Sequence, residues 1–452
     1  MIPRVVIAGT SSGAGKTTVA CGLIGALRRA GRRVQGFKVG PDYIDPSYHS
    51  LASGRPGRNL DAFLSGPDLI APLIRHGAAG ADIAVIEGVM GLFDGVSGRG
   101  ELASTAHVAR LLRAPVILVV DGSAMARSAA AVIHGFRTFD PEVSVAGVIF
   151  NRVGSDSHEA LLREAVSDLP APRLAVLGAL RRDDRLTTPE RHLGLVPAGE
   201  REPRAAAALD VLAESVARLV DLAEVERLAR SAPELRGPAW SPEPAGGRPT
   251  NQVRVAIARG PAFSFHYEEN LELLTAAGAE LAPVDPIADE ALPENSRALI
   301  LAGGFPEVFG AELAANRPLR AQIAAFAAAG RPVLAECGGL LYLARELDGH
   351  DMCSVLPAYA RMAERLTLGY REAVAATGTP WLQPGEAVRG HEFHYSAIEY
   401  AGGDAPPPAW ELTARGRSRS EGCAAGSVQA SYLHVHWAAH PHLAARFVAA
   451  AA

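Results

Sequence analysis

The most constraining feature of this chain is a glycine-rich turn set between a buried strand and a helix near its start. Residues 4–8 (RVVIA) form a short apolar run, followed by Thr10-Ser11-Ser12-Gly13-Ala14-Gly15-Lys16-Thr17. The next stretch, TTVACGLIGALRRAG, has apolar positions at helical spacing and ends at Gly31. Strand, loop and helix in that order turn consecutive backbone N–H groups and the positive end of the helix dipole toward an anion. Lys16 is then expected at the β- and γ-phosphates of a nucleotide and Thr17 on Mg²⁺, with Ser11, Ser12, Gly13, Ala14 and Gly15 cradling the phosphates. The usual motif starts with Gly where this chain has Thr10, although Gly9 is adjacent.

Composition sharpens this reading at one point. Of the 44 basic residues only two are Lys, Lys16 and Lys38, and both fall in the first 40 positions. A chain that uses Arg for nearly every cation is expected to keep Lys where a compact ammonium fits and a planar guanidinium does not. Lys38 ends the next apolar run, Val34–Val39, and opens Lys38-Val-Gly-Pro-Asp42-Tyr43-Ile-Asp45-Pro-Ser-Tyr48-His49. Further buried-strand runs occur at Ile83–Glu87, Val116–Asp121 and Val145–Asn151, separated by enough chain for crossover helices. The pattern predicts an α/β fold with a parallel sheet, whose ligands bind at the carboxyl edge. Lys38, Asp42, Asp45 and Glu87 all fall on that edge. Thr17, Asp45 and Glu87 are candidate metal ligands, and Lys38, Asp42, Tyr43, Asp45, Tyr48 and Asp94 are candidate contacts for an anionic substrate. Asn151 is placed to read an adenine edge.

Five prolines between Pro233 and Pro249 predict an exposed connector over 233–250, dividing the chain into domains at 1–232 and 251–452. The strand and helix pattern restarts beyond it, which predicts a second α/β domain. There, Pro332-Val-Leu-Ala-Glu336-Cys337-Gly338-Gly339 resembles a nucleophile elbow, and a thiol at the following helix N-terminus is expected to have a lowered pKa. Gly303, Gly304 and Gly338 could supply an oxyanion hole. In Ser431-Tyr-Leu-His434-Val-His436-Trp437, strand alternation would point both histidines the same way, so either could be the base. No acid follows within two positions to orient it. His391 and His394, in GHEFHYS, form a further polar cluster. The four cysteines have no zinc or disulfide spacing. A net charge of −5 argues against a nucleic-acid binder. No apolar run reaches the roughly 18 residues a membrane helix needs, and no signal peptide is evident, so a cytoplasmic location is expected.

The stretches TSSGAGKTT, KVGPDYIDPSYH, IEGVMGLFDG, LAECGGLLYL, GHEFHYS and SYLHVHW, spread over nearly the whole chain, resemble the cobyrinic acid and hydrogenobyrinic acid a,c-diamide synthase family. The resemblance implies a dethiobiotin synthetase-like ATP-binding domain followed by a class I glutamine amidotransferase-like domain. It also implies ATP and Mg²⁺ as cofactors, and glutamine and a polycarboxylate corrinoid as substrates. Cys337 would be the nucleophile, with His434 as base and His436 in reserve. The His-Pro-Glu ending of the wider amidotransferase class is absent. A homodimer is the expected assembly. A nickel-sirohydrochlorin diamide synthase is a second reading, and a P-loop switch ATPase a third.

Overall fold

A computed structural model describes residues 2–170, 174–182, 190–191, 194–195, 202–243, 252–403 and 405–452. The chain divides into two compact units, Met1–Ser241 and Pro242–Ala452.

The first unit runs β1 (Arg4–Gly9), α1 (Lys16–Arg29), β2 (Val34–Val39), α2 (Ile44–Ser53), β3 (Arg58–Leu60), α3 (Pro67–Gly77) and β4 (Ile83–Glu87). It continues through α4 (Thr105–Leu112), β5 (Val116–Asp121), α5 (Ser128–Phe139), β6 (Val145–Val153), α6 (Asp156–Ser167) and β7 (Ala175–Arg181). A two-residue ladder of β8 (Glu190–Arg191) and β9 (Gly194–Leu195) precedes α7 (Glu202–Leu219) and α8 (Leu222–Ser231). Seven strands form one parallel sheet in the order β3-β2-β4-β1-β5-β6-β7. The expected strands are all present. β3 and β7 were not anticipated, since β3 is three polar-edged residues and β7 is interrupted by Gly178.

Beneath this sheet lies a fully buried cation. Arg4 donates from Nε and Nη2 to the Leu112 carbonyl at 2.8 and 2.5 Å, and from Nη2 to the Pro233 carbonyl at 2.6 Å. The start of the proline-rich stretch is therefore fastened to β1. Arg75 also donates to the Leu235 carbonyl, the Trp240 N–H donates to the Pro72 carbonyl at 3.0 Å, and Leu235 and Trp240 are buried. Residues 233–241 thus fold with the first unit instead of forming an exposed connector. Leu and Trp amid the prolines supply apolar surface that burial rewards. Residues 244–251 lie outside the described residues.

The second unit contains β10 (Val253–Ala258), α9 (Glu268–Ala276), β11 (Ala279–Val284), β12 (Ala298–Leu301), α10 (Gly310–Ala315), α11 (Arg317–Ala328), β13 (Val333–Glu336) and α12 (Gly338–Leu343). Then come β14 (Glu346–Leu347), β15 (His350–Asp351), β16 (Ala358–Ala375), β17 (Ala387–Tyr400), β18 (Trp410–Ala414), β19 (Arg417–Glu421), β20 (Cys423–Ala425), β21 (Val428–Ser431), β22 (His434–Val435) and α13 (His442–Ala451). One sheet has the order β11-β10-β12-β13-β21-β20 and is parallel except at the β20–β21 edge. A second, mainly antiparallel sheet has the order β15-β14-β16-β17-β22, with β18 joined to β16 and β19 to β18. This second sheet was not anticipated, because β16 is largely solvated and lacks a continuous apolar run.

Replacing Arg4 with Leu deletes its donors to two buried carbonyls. It should lower the unfolding free energy of the first unit by about 2–4 kcal/mol. In a urea titration followed by two probes, the transition of the first unit should move to lower denaturant while that of the second stays in place.

Candidate active sites

The first site lies where β1, β2 and β4 end side by side. Lys38 and Glu87 are register partners on β2 and β4, and such partners in a parallel pair share a face. Lys38 Nζ donates to Glu87 Oε1 at 2.7 Å, to Asp45 Oδ2 at 2.5 Å and to the Gly88 carbonyl at 3.1 Å. The Thr17 hydroxyl donates to Glu87 Oε1 at 2.6 Å and lies 3.4 Å from Asp45 Oδ2. The structure therefore brings a half-buried Thr17 together with the buried Lys38, Asp45 and Glu87 in one cluster. It adds His49, whose Nε2 lies 2.7 Å from Glu87 Oε2. The sequence signal for His49 was its position four residues after Asp45 on α2, which puts both on one helix face.

Burial opposes every charge in this cluster, and the ion pairs decide which survive. For Glu87, burial raises the pKa, but Lys38 and His49 outweigh it and hold the group below its ordinary value. For Lys38, burial works against the charge, but Asp45 and Glu87 more than compensate and hold it ionised. Lys16 has no such pair. Burial first, and the neighbouring Lys38 second, lower it to about 8.

The loop packs closely against a neighbouring side chain. Gly15 has φ 98°, and a Cβ there would stand 2.0 Å from Asn151 Nδ2. Asn151, expected to read an adenine edge, is buried against the loop and donates from that atom to the Ala14 carbonyl at 3.1 Å. Lys16 Nζ folds back to the Ser11 carbonyl at 3.2 Å. Two expected substrate contacts are occupied locally. Asp42 accepts the Ile44 and Asp45 N–H groups at 2.8 and 3.0 Å, and Asp94 accepts the Gly91 N–H at 2.8 Å. Tyr48 is buried and Tyr43 partly so. Among the described residues no three His, Cys, Asp or Glu side chains form a metal cage. The oxygens of Thr17, Asp45 and Glu87 suit Mg²⁺, and Lys38 already engages both carboxylates. Such a set fits a cation delivered with phosphate oxygens.

The second site lies at the carboxyl end of β13. Cys337 has φ 46° and ψ −99°, a strained conformation for a residue with a Cβ, and its N–H donates to the Ser431 carbonyl at 2.7 Å. The elbow needs its glycines. A Cβ on Gly339 would meet the Leu301 carbonyl oxygen at 2.2 Å, and one on Gly338 would meet the Gly304 nitrogen at 3.0 Å. Gly338 and Gly304 backbones are thus side by side, as an oxyanion hole requires. Gly303 packs against His434, since a Cβ there would stand 2.5 Å from its Cε1.

Three expectations change here. The Cys337 thiol is pushed up, not down, by burial and then by Glu307, with Glu336 and Glu392 adding to the rise. The backbone N–H of Gly338 pulls the other way, but a six-residue α12 has too few turns to prevail. Second, an acid from outside the histidines' own stretch lies beside one of them: Glu336, directly before Cys337, lies 3.3 Å by Oε2 from His434 Nδ1. Third, the histidines are not equivalent, because β22 spans only His434 and Val435. His436 instead takes the Ala438 N–H on Nδ1, and its Nε2 faces Glu269 at 3.4 Å. His391 stacks on His434, whereas His394 stacks on Tyr432 with ring centres 3.6 Å apart. Sequence reasoning missed Glu392, which is buried and accepts from Arg371 Nε at 2.5 Å and from Arg419.

Comparison with known proteins fits both sites. Residues 5–196 match the CobQ/CobB/MinD/ParA nucleotide binding domain, and residues 254–442 match the CobB/CobQ-like glutamine amidotransferase domain. A hydrogenobyrinate a,c-diamide synthase of Streptomyces coelicolor is 54% identical over 99% of this chain and 97% of its own length. That of Mycobacterium tuberculosis is 52% identical over 100% and 98%. A cobyrinate a,c-diamide synthase of Syntrophotalea carbinolica is 45% identical over 99% and 98%. No helix among the described residues is long and apolar enough to cross a membrane. A nucleotide-binding unit, a glutamine amidotransferase unit and identity of this degree along the full length place the chain in the family of a,c-diamide synthases.

Proposed function

We propose that this chain uses ATP and glutamine to convert the a and c acetate side chains of hydrogenobyrinic acid to amides, a step of cobalamin biosynthesis. The observation that carries this reading is that one chain holds both a phosphate loop opening onto the Lys38–Asp45–Glu87 cluster and a strained Cys337 with a His434–Glu336 pair behind it. The metal-free macrocycle is favoured because the relatives named for hydrogenobyrinate are 52–54% identical and that named for cobyrinate is 45%.

In the second unit, His434 accepts the Cys337 proton, and Glu336 on Nδ1 stabilises the imidazolium. The thiolate attacks the glutamine amide while the Gly304 and Gly338 backbones receive the oxyanion. His434 returns its proton to the nitrogen as the C–N bond breaks and ammonia leaves, and water then hydrolyses the thioester to free glutamate and Cys337. Because the resting thiol is kept protonated, proton removal is tied to substrate binding. In the first unit, Mg²⁺ bound with ATP would neutralise phosphate charge beside Thr17, Asp45 and Glu87. Lys16 leaves the Ser11 carbonyl for the transferring phosphoryl group, where catalysis is mainly positioning and electrostatics. An acetate of the substrate takes the phosphoryl group, and ammonia from glutamine then displaces phosphate to leave the amide. The exchange occurs first at one acetate and then at the other. Lys38 keeps the carboxylates of Asp45 and Glu87 from repelling a polyacidic substrate.

Mass spectrometry after incubation with glutamine, Mg²⁺ and ATP should show two carboxyls of hydrogenobyrinic acid converted to amides, and faster than those of cobyrinic acid. No conversion of either would refute the substrate assignment. Cys337→Ser should abolish glutamine-driven amidation and retain the ammonia-driven reaction. Loss of both would contradict the two-site scheme. Lys16→Ala should lower amidation from either nitrogen source by on the order of 10²–10³-fold.

The lowered pKa of Lys16 gives a pH dependence with a definite sign. Free Lys16 is charged below pH about 8 and neutral above it, while a bound phosphate favours the charged form. Nucleotide binding should therefore weaken as pH rises above that value, by up to about tenfold per unit. Calorimetric titration between pH 7 and pH 10 (roughly the span between the lowered and ordinary Lys values) tests this, and Lys16→Ala should flatten the profile.

A further inference from the structure

Around His434 lies a buried aromatic cluster to which the mechanism above assigns no task. His391 on β17 is the register partner of His434 on β22. Their rings are nearly parallel, 20° apart in plane, with centres 5.0 Å apart. The strands are brought unusually close at this point. A Cβ on Gly390 would meet the His434 carbonyl oxygen at 2.5 Å, so only glycine allows the two imidazoles to face each other here. On its far side His391 Nε2 is hydrogen-bonded to the Tyr267 hydroxyl at 2.9 Å.

Tyr267 belongs to a clamp. Directly before α9, its ring leans on His436 with centres 4.6 Å apart. Asn270, one turn on, donates to the Val435 carbonyl at 2.9 Å and accepts the Trp437 N–H at 2.8 Å. His434 is thus bounded by Glu336 at Nδ1, Gly303 at the Cε1 edge and His391 on one face. We propose that His391, anchored by Tyr267, is a positioning residue of the glutaminase, fixing the plane of the His434 imidazole so that it serves Cys337.

The chemistry of the stack agrees with this role. His434 must gain and lose a proton in each cycle, and a second cation on its face would oppose the gain. His434, Arg371 and His436 act on His391 through their charge, and the Tyr267 hydroxyl is hydrogen-bonded to its Nε2. Burial first, and then His434, Arg371 and His436, hold His391 well below its ordinary pKa. It therefore presents a neutral aromatic face to a ring that changes charge. His391 itself transfers no proton and touches no substrate in this proposal.

The inference rests on His434 as the glutaminase base, and the experiment separates the two. Glutaminase kinetics of the full chain are measured for His391→Ala, His391→Phe, Tyr267→Phe and His434→Ala, with ammonia-driven amidation as a parallel readout. Misaiming a catalytic group by a fraction of an ångström costs rate more than affinity. His391→Ala should lower kcat by on the order of 10²-fold with an unchanged KM for glutamine. His391→Phe restores a flat ring of similar size and should recover most of that loss. Tyr267→Phe should give a smaller fall in kcat, of roughly threefold to tenfold. This variant removes a single oxygen and decides the matter if His391→Ala does not fold. Full kcat in His391→Ala, a loss confined to KM, or a Phe variant no better than Ala overturns the proposal. An active His434→Ala overturns the base assignment and the positioning role together. An inactive His434→Ala beside a fully active His391→Ala overturns only the positioning role.

Discussion

The first unit depends on one buried cation. Lys38 is 3% exposed and bridges Asp45 and Glu87, two carboxylates that would otherwise repel each other out of contact with water. Removing one partner of a buried pair typically costs about 3–5 kcal/mol, because the other charge is stranded. The geometry that avoids this is set by the sheet. Parallel register puts Lys38 across from Glu87, and the α2 turn swings Asp45 over both. Gly36 lets α2 lie this close, since a Cβ there would meet the His49 Cβ at 2.7 Å. The fold and the reactive edge are therefore one arrangement, and neither could be altered without the other.

The sequence displayed this much because the residues concerned are chemically isolated. Two lysines among 44 basic residues, acids at the ends of apolar runs and a Gly-rich loop before a helix each have few structural explanations. β1, β2, β4, β5 and β6 of the first unit and β10, β12 and β13 of the second were readable for the same reason, as buried strands leave unbroken apolar runs. The partners were harder to see. Glu336 orients His434 from another strand, and Glu269 and Asn270 reach His436 and its neighbours from 167 positions away at most. Contacts of that kind follow from topology, which no local pattern encodes. The β16–β17 hairpin was invisible because its strands alternate weakly and carry charges on the solvated face. The pKa of Cys337 was misjudged because helix position was legible, while its burial and the approach of Glu307 and Glu392 were not.

The two units handle charge in opposite ways. In the first, opposite charges are paired before any ligand arrives, so the edge is set in advance and only Lys16 remains adjustable. In the second, the nucleophile is neutral, and the negative groups around it oppose ionisation until a base takes the proton. Each arrangement suits its task. Phosphoryl transfer needs fixed cations, whereas glutamine hydrolysis gains from a nucleophile that is inactive without its substrate.

That resting neutrality also bears on how the chain withstands oxidants. Peroxide attacks thiolates and scarcely touches thiols. All four cysteines are buried and free, and burial raises every one of them, Cys423 to about 12. The chain thus offers almost no oxidisable thiol while idle. Its vulnerable moment is the turnover itself, when glutamine covers the thiolate.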